Sequence, residues 1–310
     1  MLSVSTVGNP AFKIGIDGGG TKTEFILTDA TGKVIDQRSA PGCSPSIITP
    51  AAIHAIVSTN LQALGGAARQ THPAATITNT LFCMAGSRSF WSEFAAAITG
   101  FGRVQTFDDS FPVLELATNG KAGLVLHSGT GSFVAARSPD GTTHFAGGLG
   151  WRLGDPASAY DLGQHAIARA ILELQGWAVP SALGAGICQA TDLHDANALT
   201  RHFYADPKAA SLISTFAPHV TRLAAAGDEV AREILCASVA KLAELANEVI
   251  ARSFGGNTNS RLPVGLSGAI LRGLAVKDTL TTHLDLRCEL HEITEAPIEG
   301  VRRLLARLPS

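Results

Sequence analysis

Lys13-Ile14-Gly15-Ile16-Asp17-Gly18-Gly19-Gly20-Thr21-Lys22-Thr23 is the stretch that decides how this 310-residue chain is read. An apolar strand runs into an aspartate, three glycines and a Thr-Lys-Thr, and a second strand follows at residues 24–28. Glycines in a turn between strands let backbone N–H groups reach a bound group with no Cβ in the way. Successive N–H groups at Gly19 and Gly20, with Thr21 and Lys22 beside them, form a nest for phosphate. Asp17, at the strand end, is the natural holder of Mg²⁺ through water, because that ion keeps most of its hydration shell. The stretch is not a Walker A loop, since Gly-x-x-x-x-Gly-Lys-Ser/Thr is absent and a strand comes next. Nor is it a Rossmann turn, because the third glycine is out of place and no helix opens.

The same grammar recurs further along. Residues 122–127 are another apolar strand, Ser128-Gly129-Thr130-Gly131 is a glycine and hydroxyl turn, and residues 132–137 are the next strand. In the first module Asp29-Ala30-Thr31-Gly32 turns the chain into a third strand at 33–38; in the second, Ser138-Pro139-Asp140-Gly141 turns it into 142–145. Both are strong turn signals. Internal repetition says more about architecture than one motif does. Two such modules facing each other would pinch a triphosphate between two hairpins.

The paired hairpins, a later Gly-Asp before a long helix, and Val264-Gly265-Leu266-Ser267-Gly268-Ala269 resemble the actin, sugar-kinase and Hsp70 ATPase superfamily. Within it, Asp17-Gly18-Gly19-Gly20-Thr21-Lys22 and the block 147–160, from Gly147-Gly148-Leu149-Gly150 through Gly154-Asp155-Pro156 to Tyr160, resemble the BadF/BadG/BcrA/BcrD ATPase group. The similarity is greatest to its N-acetylglucosamine and glucosamine kinases and extends over nearly the whole chain. It implies an α/β fold of two ribonuclease H-like lobes of the actin-like ATPase type with an interlobe cleft. It also implies ATP and Mg²⁺ as cofactors, an amino sugar such as N-acetylglucosamine or glucosamine as substrate, and a homodimer.

Composition agrees with that class. Net charge is −2 and only 16% of residues are charged, so there is no basic field for nucleic acid. No apolar run approaches the ~20 residues of a membrane span. The first ten residues read as a loose polar tail and not as a signal peptide. Five cysteines stand singly, with no Cys-x-x-Cys pair, which fits a reducing cytoplasm and argues against zinc or an iron–sulfur cluster. Dehydratase activators of the resembled family carry such a cluster, so kinase gains over activator ATPase.

The first half alternates strand and helix. A helix begins at Thr49-Pro50, with Ile53, Ile56, Val57, Leu61 and Leu64 on one face and Gly65 as its stop. A strand at 76–83, a helix at 87–99, a strand at 103–107 and a short helix at 111–118 follow. This order implies a central sheet covered by helices. Long helices are expected at 156–175, 212–225 and 228–253, a strand at 261–266 and a last helix at 297–308. The hinge is placed near Asn119-Gly120, giving an N-terminal lobe of 1–119 plus 291–310 and a C-terminal lobe of 120–290.

Phosphoryl transfer to a hydroxyl needs a held γ-phosphate, a placed Mg²⁺, exclusion of water and a carboxylate to take the proton. Asp108 and Asp109 end a strand, where an open α/β sheet puts its ligand crevice. Adjacent carboxylates on a strand point opposite ways, so at most one faces that crevice. The family pattern of aspartate, small residue and helix fits Asp109-Ser110 better, making Asp109 the expected base; the alternative is that either carboxylate caps the helix at Phe111. By the same resemblance Thr21 and Lys22 meet the β/γ-phosphates, Gly129 and Thr130 the opposite side, and Gly227 the adenine or ribose. Gly268 and Ala269 form a strand-to-helix turn whose helix N-terminus suits a phosphate or ribose. Asp155, read as an N-cap before Pro156, also becomes a sugar contact with Gly148, Leu149 and Gly150.

Three departures from the family stand out. Leu149 occupies the place of a tryptophan, with Trp151 displaced two residues on; Pro156 and Ala157 replace Glu-Gly; and the loop Gly42-Cys43-Ser44-Pro45-Ser46 lacks an asparagine. They leave phosphotransfer in place without naming the sugar. His127 is expected to be buried and hydrogen-bonded. The competing reading is an activator or regulatory ATPase without a sugar acceptor. A binding or transcription module has no helix-turn-helix or basic stretch behind it, and a hydrolase at Ser267 fails because Gly-x-Ser-x-Gly is incomplete.

Overall fold

Along the first strand Phe12, Ile14 and Ile16 face one way and Lys13, Gly15 and Asp17 the other, and that alternation sets the two faces of a sheet. The computed structural model describes residues 9–206, 208–255 and 261–309; residues 1–8 of the expected tail lie outside them. Three antiparallel strands, β1 (Ala11–Gly18), β2 (Lys22–Asp29) and β3 (Val34–Pro41), lead into α1 (Pro50–Thr71), β4 (Thr76–Met84), α2 (Arg88–Ala97), β5 (Arg103–Asp108) and α3 (Ser110–Thr118). A second antiparallel trio, β6 (Gly123–Ser128), β7 (Ser132–Arg137) and β8 (Thr143–Gly147), precedes α4 (Ala159–Leu174), α5 (Ala182–Thr191), α6 (Ala196–Ala205), α7 (Ala209–Ser214), α8 (Ala217–Ala225) and α9 (Glu229–Phe254). Then come β9 (Leu262–Ser267), α10 (Leu274–His283), β10 (Cys288–Glu292) and α11 (Pro297–Arg307).

The chain divides into two units, one running to Leu116 and resuming at Glu295, the other spanning Ala117–Thr294. The sheets repeat one another. The first runs β3-β2-β1-β4-β5 and the second β8-β7-β6-β9-β10, with β4 and β9 parallel to the opening strands β1 and β6. The repeat read from the two hairpins therefore extends through the whole sheet of each unit.

In the first unit, Ile14, Ile16, Phe25, Leu27 and Phe82 pack against Ile53, Val57, Leu61 and Leu64 of α1 and against Trp91 of α2. Thr49 caps α1 by accepting from Ala52 N–H at 3.3 Å, with Pro50 opening the helix. Gly65 does not end it: α1 continues to Thr71, burying Gly65 and Ala68, because packing outweighs the ~1 kcal/mol a helical glycine costs. The opposite face carries Ile26, Leu81 and Cys83 against Ile298, Val301 and Leu305 of α11. Buried Lys13 reaches the C-terminal end of that helix, donating to the Leu305 and Leu308 carbonyls at 3.2 and 2.5 Å.

The second unit's core joins Leu124, Leu126, Val134, Val264 and Leu266 to helices α4 to α10. Several boundaries differ from expectation. α4 starts at Ala159, not at Pro156, because Ser158 is its cap, accepting from Asp161 N–H. The single helix expected at 212–225 is two, α7 and α8, with a proline in the first turn of α8. α5, α6, α10 and β10 lack the long periodic runs that betray a helix or strand and were not expected.

Gly15 admits α11, since a Cβ there would stand 2.6 Å from Val301 Cγ1 and 2.8 Å from Leu305 Cδ1. Gly15→Ala should therefore destabilise the protein by about 1–3 kcal/mol, read as a lower urea midpoint; an unchanged midpoint would refute this packing.

Candidate functional site

In the first unit the strand ends converge on the glycine turn. Asp17 pairs with Glu24 and Gly18 with Thr23, and Gly19 N–H donates to Lys22 O at 3.0 Å, closing a turn around Gly20 and Thr21. Among the described residues neither Gly20 nor Thr21 donates its backbone N–H to a protein group, so both are available to an anion. The turn is held on two sides. Cys43 N–H donates to Gly19 O at 3.1 Å and Ala85 N–H to Gly18 O at 2.8 Å. Gly42 lies so close that a Cβ would stand 2.2 Å from Gly20 O.

Lys22 Nζ is 2.8 Å from Glu24 Oε1, on the side of the sheet that Asp17 shares. Asp17 is pushed up to about 7, first by burial and then by the charges of Asp109 and Glu24, with Lys22 opposing. Asp109 is raised to about 6 by burial and by Asp108. Asp108 has its own partners: Arg88 Nη2 donates to it at 2.5 Å, and Ser110 donates both its backbone N–H, at 3.1 Å, and its hydroxyl. The capping alternative thus describes Asp108, and Asp109 is the carboxylate left with uncompensated repulsion. Glu24 is the residue sequence reasoning missed; the period of two across a tight turn was the signal that pairs it with Asp17.

These are hard oxygen donors with excess negative charge, a chemistry that fits Mg²⁺. Among the described residues no group of three or more His, Cys, Asp or Glu could hold a metal. One or two carboxylates completed by water and phosphate oxygens is the usual Mg²⁺ arrangement.

In the second unit the matching turn spans Gly129, Thr130 and Gly131, between the paired Ser128 and Ser132. Ser128 and Ser132 donate their hydroxyls to the carbonyls of Ala157 and Pro156 at 2.5 and 2.6 Å, and Ala159 N–H donates to Gly129 O at 2.8 Å. Asp155 is not a helix cap. Its buried carboxylate accepts backbone N–H groups of Gly150, Leu149 and Ser132, the first at 3.0 Å, and so fastens the glycine-rich loop to the hairpin. Burial raises its pKa, against the pull of those N–H donors. Gly148 and Gly150 have positive φ and Leu149 is 59% exposed, so this loop presents backbone and an apolar side chain outward. Trp151 lies against Tyr160 with centroids 5.3 Å apart and planes tilted by 49°, and Arg152 lies over the Trp151 ring. Ala157 has φ +64 and is fully buried.

Gly227 has φ +91 and open space for at least 4 Å around the place a Cβ would take, and Asp228 after it caps α9. Gly268 is tight: a Cβ would stand 1.9 Å from Ser128 O. No helix opens at Ala269, because α10 begins at Leu274, so the helix-dipole argument for phosphate there fails. His127 is partly buried, stacked on Phe133 and bonded to Ser267, with burial lowering its pKa to about 4.

The family model of the BadF/BadG/BcrA/BcrD ATPase family matches residues 14–302. The chain is 24% identical over 273 residues to an N-acetyl-D-glucosamine kinase of Dictyostelium discoideum, covering 82% of this chain and 84% of the relative. It is 24% identical over 227 residues to an N-acetylmuramic acid/N-acetylglucosamine kinase of Clostridium acetobutylicum, covering 72% and 74% respectively. A solved structure named as a candidate N-acetylglucosamine kinase from Chromobacterium violaceum superposes with a TM-score of 0.74 at 27% identity, over 95% of this chain and 98% of that one. The fold is the α/β, actin-like ATPase fold with two ribonuclease H-like lobes.

The electrostatics generate a stability test. A carboxylate raised from 3.8 to about 7 contributes stability below its unfolded pKa and loses it as pH climbs through the folded one. Asp17→Asn should therefore melt higher than the wild type without ligand at pH 8, with the gain shrinking towards pH 4; a gain independent of pH would contradict the burial of an unpaired charge.

Proposed function

The chain belongs to the BadF/BadG/BcrA/BcrD ATPase family, and we propose that it is an ATP-dependent kinase of an amino sugar such as N-acetylglucosamine or glucosamine. The observation carrying this reading is Asp109, a partly buried carboxylate raised to about 6 at a strand end and electrostatically coupled to Asp17 beside the glycine turn. The names of the similar kinases support the substrate class. Free cysteines agree with a cytoplasmic enzyme. No helix among the described residues is long and apolar enough to cross a membrane.

In this reading Asp109 accepts the proton of the acceptor hydroxyl as its oxygen attacks the γ-phosphorus, the bond to the bridging oxygen breaks, and ADP leaves. A base near pKa 6 is ionised at neutral pH yet still basic enough to draw the proton. The Gly19, Gly20 and Thr21 backbone and the Lys22 ammonium hold phosphate oxygens, as do Gly129 and Thr130 in the second unit. Asp17 would hold Mg²⁺ through water, and the bound ion supplies neutralising charge to the phosphates. Gly227, Gly268 and Ala269 serve the nucleoside end. Gly148, Leu149 and Gly150 meet the sugar, with Asp155 setting the loop's position from behind.

ADP release from MgATP, measured with glucosamine, N-acetylglucosamine, N-acetylmannosamine and neutral hexoses, tests the reading. Acceleration by one amino sugar with its phosphate ester formed is expected; sugar-independent hydrolysis would instead favour an activator or regulatory ATPase. Asp109→Asn should lower kcat by about 10²–10⁴-fold with nucleotide affinity kept, and Asp108→Asn by far less. The wild-type kcat should fall as pH drops below about 6, where Asp109 takes up a proton. Near-normal turnover of Asp109→Asn with intact folding would remove it from the base role.

A further inference from the structure

His127 occupies, in the second hairpin, the strand position that Asp17 occupies in the first. Asp17 precedes Gly18, whose partner across the turn is Thr23, and His127 precedes Ser128, whose partner is Ser132. The ring is fixed twice over. Its Nδ1 is 3.1 Å from Ser267 Oγ, and its plane lies against Phe133, with centroids 4.8 Å apart and 17° between planes. The approach of Gly268 to Ser128 O, too close for any side chain, holds Ser267 beside the imidazole. With Nδ1 so placed, Nε2 is directed at the turn, 3.3 Å from where a Cβ on Gly129 would sit. Among the described residues no protein group pairs with Nε2. Burial holds the pKa down to about 4, so the ring is neutral at physiological pH. When the Ser267 hydroxyl donates to Nδ1, the single ring proton stands on Nε2.

We propose that His127 is a further ligand of the anion bound at the second hairpin, its Nε2–H donating a hydrogen bond to a nucleotide phosphate oxygen. The inference rests on the kinase reading above. It makes the second hairpin different in kind from the first: where Asp17 repels phosphate and calls for a cation, the neutral imidazole contacts phosphate directly. A rigid donor adds no charge to the turn and needs no reordering on binding.

Glutamine and asparagine separate the two ring nitrogens, since a glutamine amide nitrogen reaches the place of Nε2 and an asparagine amide only that of Nδ1. Calorimetric titration of the full-length protein with MgADP should show binding weakened roughly tenfold in His127→Asn and His127→Phe, and largely restored in His127→Gln. In the wild type the His127 ¹⁵Nε2 resonance should move on adding MgADP while ¹⁵Nδ1 moves little. Equal affinity in all four proteins with an unmoved Nε2 signal would leave His127 a packing residue and overturn the proposal, with the kinase reading intact. Failure of the folded wild type to bind MgADP or the non-hydrolysable triphosphate analogue would overturn both. Equal weakening in the glutamine and asparagine variants, with Nε2 unmoved, would also count against it.

Discussion

In both units a glycine is pressed against a carbonyl of the hairpin turn, and the rest of each site is arranged around that contact. Gly42 sits against Gly20 O in the first unit and Gly268 against Ser128 O in the second, each where a Cβ would be within 2.2 Å of the oxygen. Such an approach excludes every other residue type. It lets one further segment of chain back each turn, so that the backbone N–H groups are aimed by a rigid support and not by the turn alone. The two supports come from different elements, the exit of β3 in one unit and the end of β9 in the other. The sheets repeat; their reinforcements do not.

Around these turns the chain accepts unfavourable electrostatics. In a partly buried setting the charges of Asp109 and Glu24 raise the cost of ionising Asp17, and Asp108 raises that of Asp109. Asp108, one residue from Asp109, is by contrast satisfied by Arg88 and Ser110. The difference between the adjacent carboxylates is thus one of partners: Arg88 and Ser110 compensate Asp108, whereas burial and Asp108 leave Asp109 raised. Ala157 with its left-handed backbone, stitched by Ser128 and Asp161 on either side, is strain stored next to the second turn.

The same contrast marks Asp155. A Gly-Asp-Pro signature reads naturally as a helix cap, yet the helix begins three residues later under Ser158. The carboxylate is spent instead on backbone N–H groups from two other segments, which no local pattern announces. It thereby fastens the glycine-rich loop to the hairpin.

What was legible in the sequence was local and repetitive. The strand–glycine–strand grammar at Asp17 and Ser128, the cap at Thr49-Pro50 and the apolar faces of α1 and α11 follow from periods of 2.0 and 3.6 and from turn chemistry. Those suffice for the α/β class and for the family resemblance that residues 14–302 bear out. The tertiary structure decided what depends on neighbours distant in sequence. It made Gly15 a docking point for α11, carried α1 past Gly65 into burial, paired Asp108 with Arg88, and began α10 at Leu274 and not at Ala269. Residue patterns specify which way a side chain points along its own element, whereas burial, repulsion and close backbone contact exist only once separate elements meet.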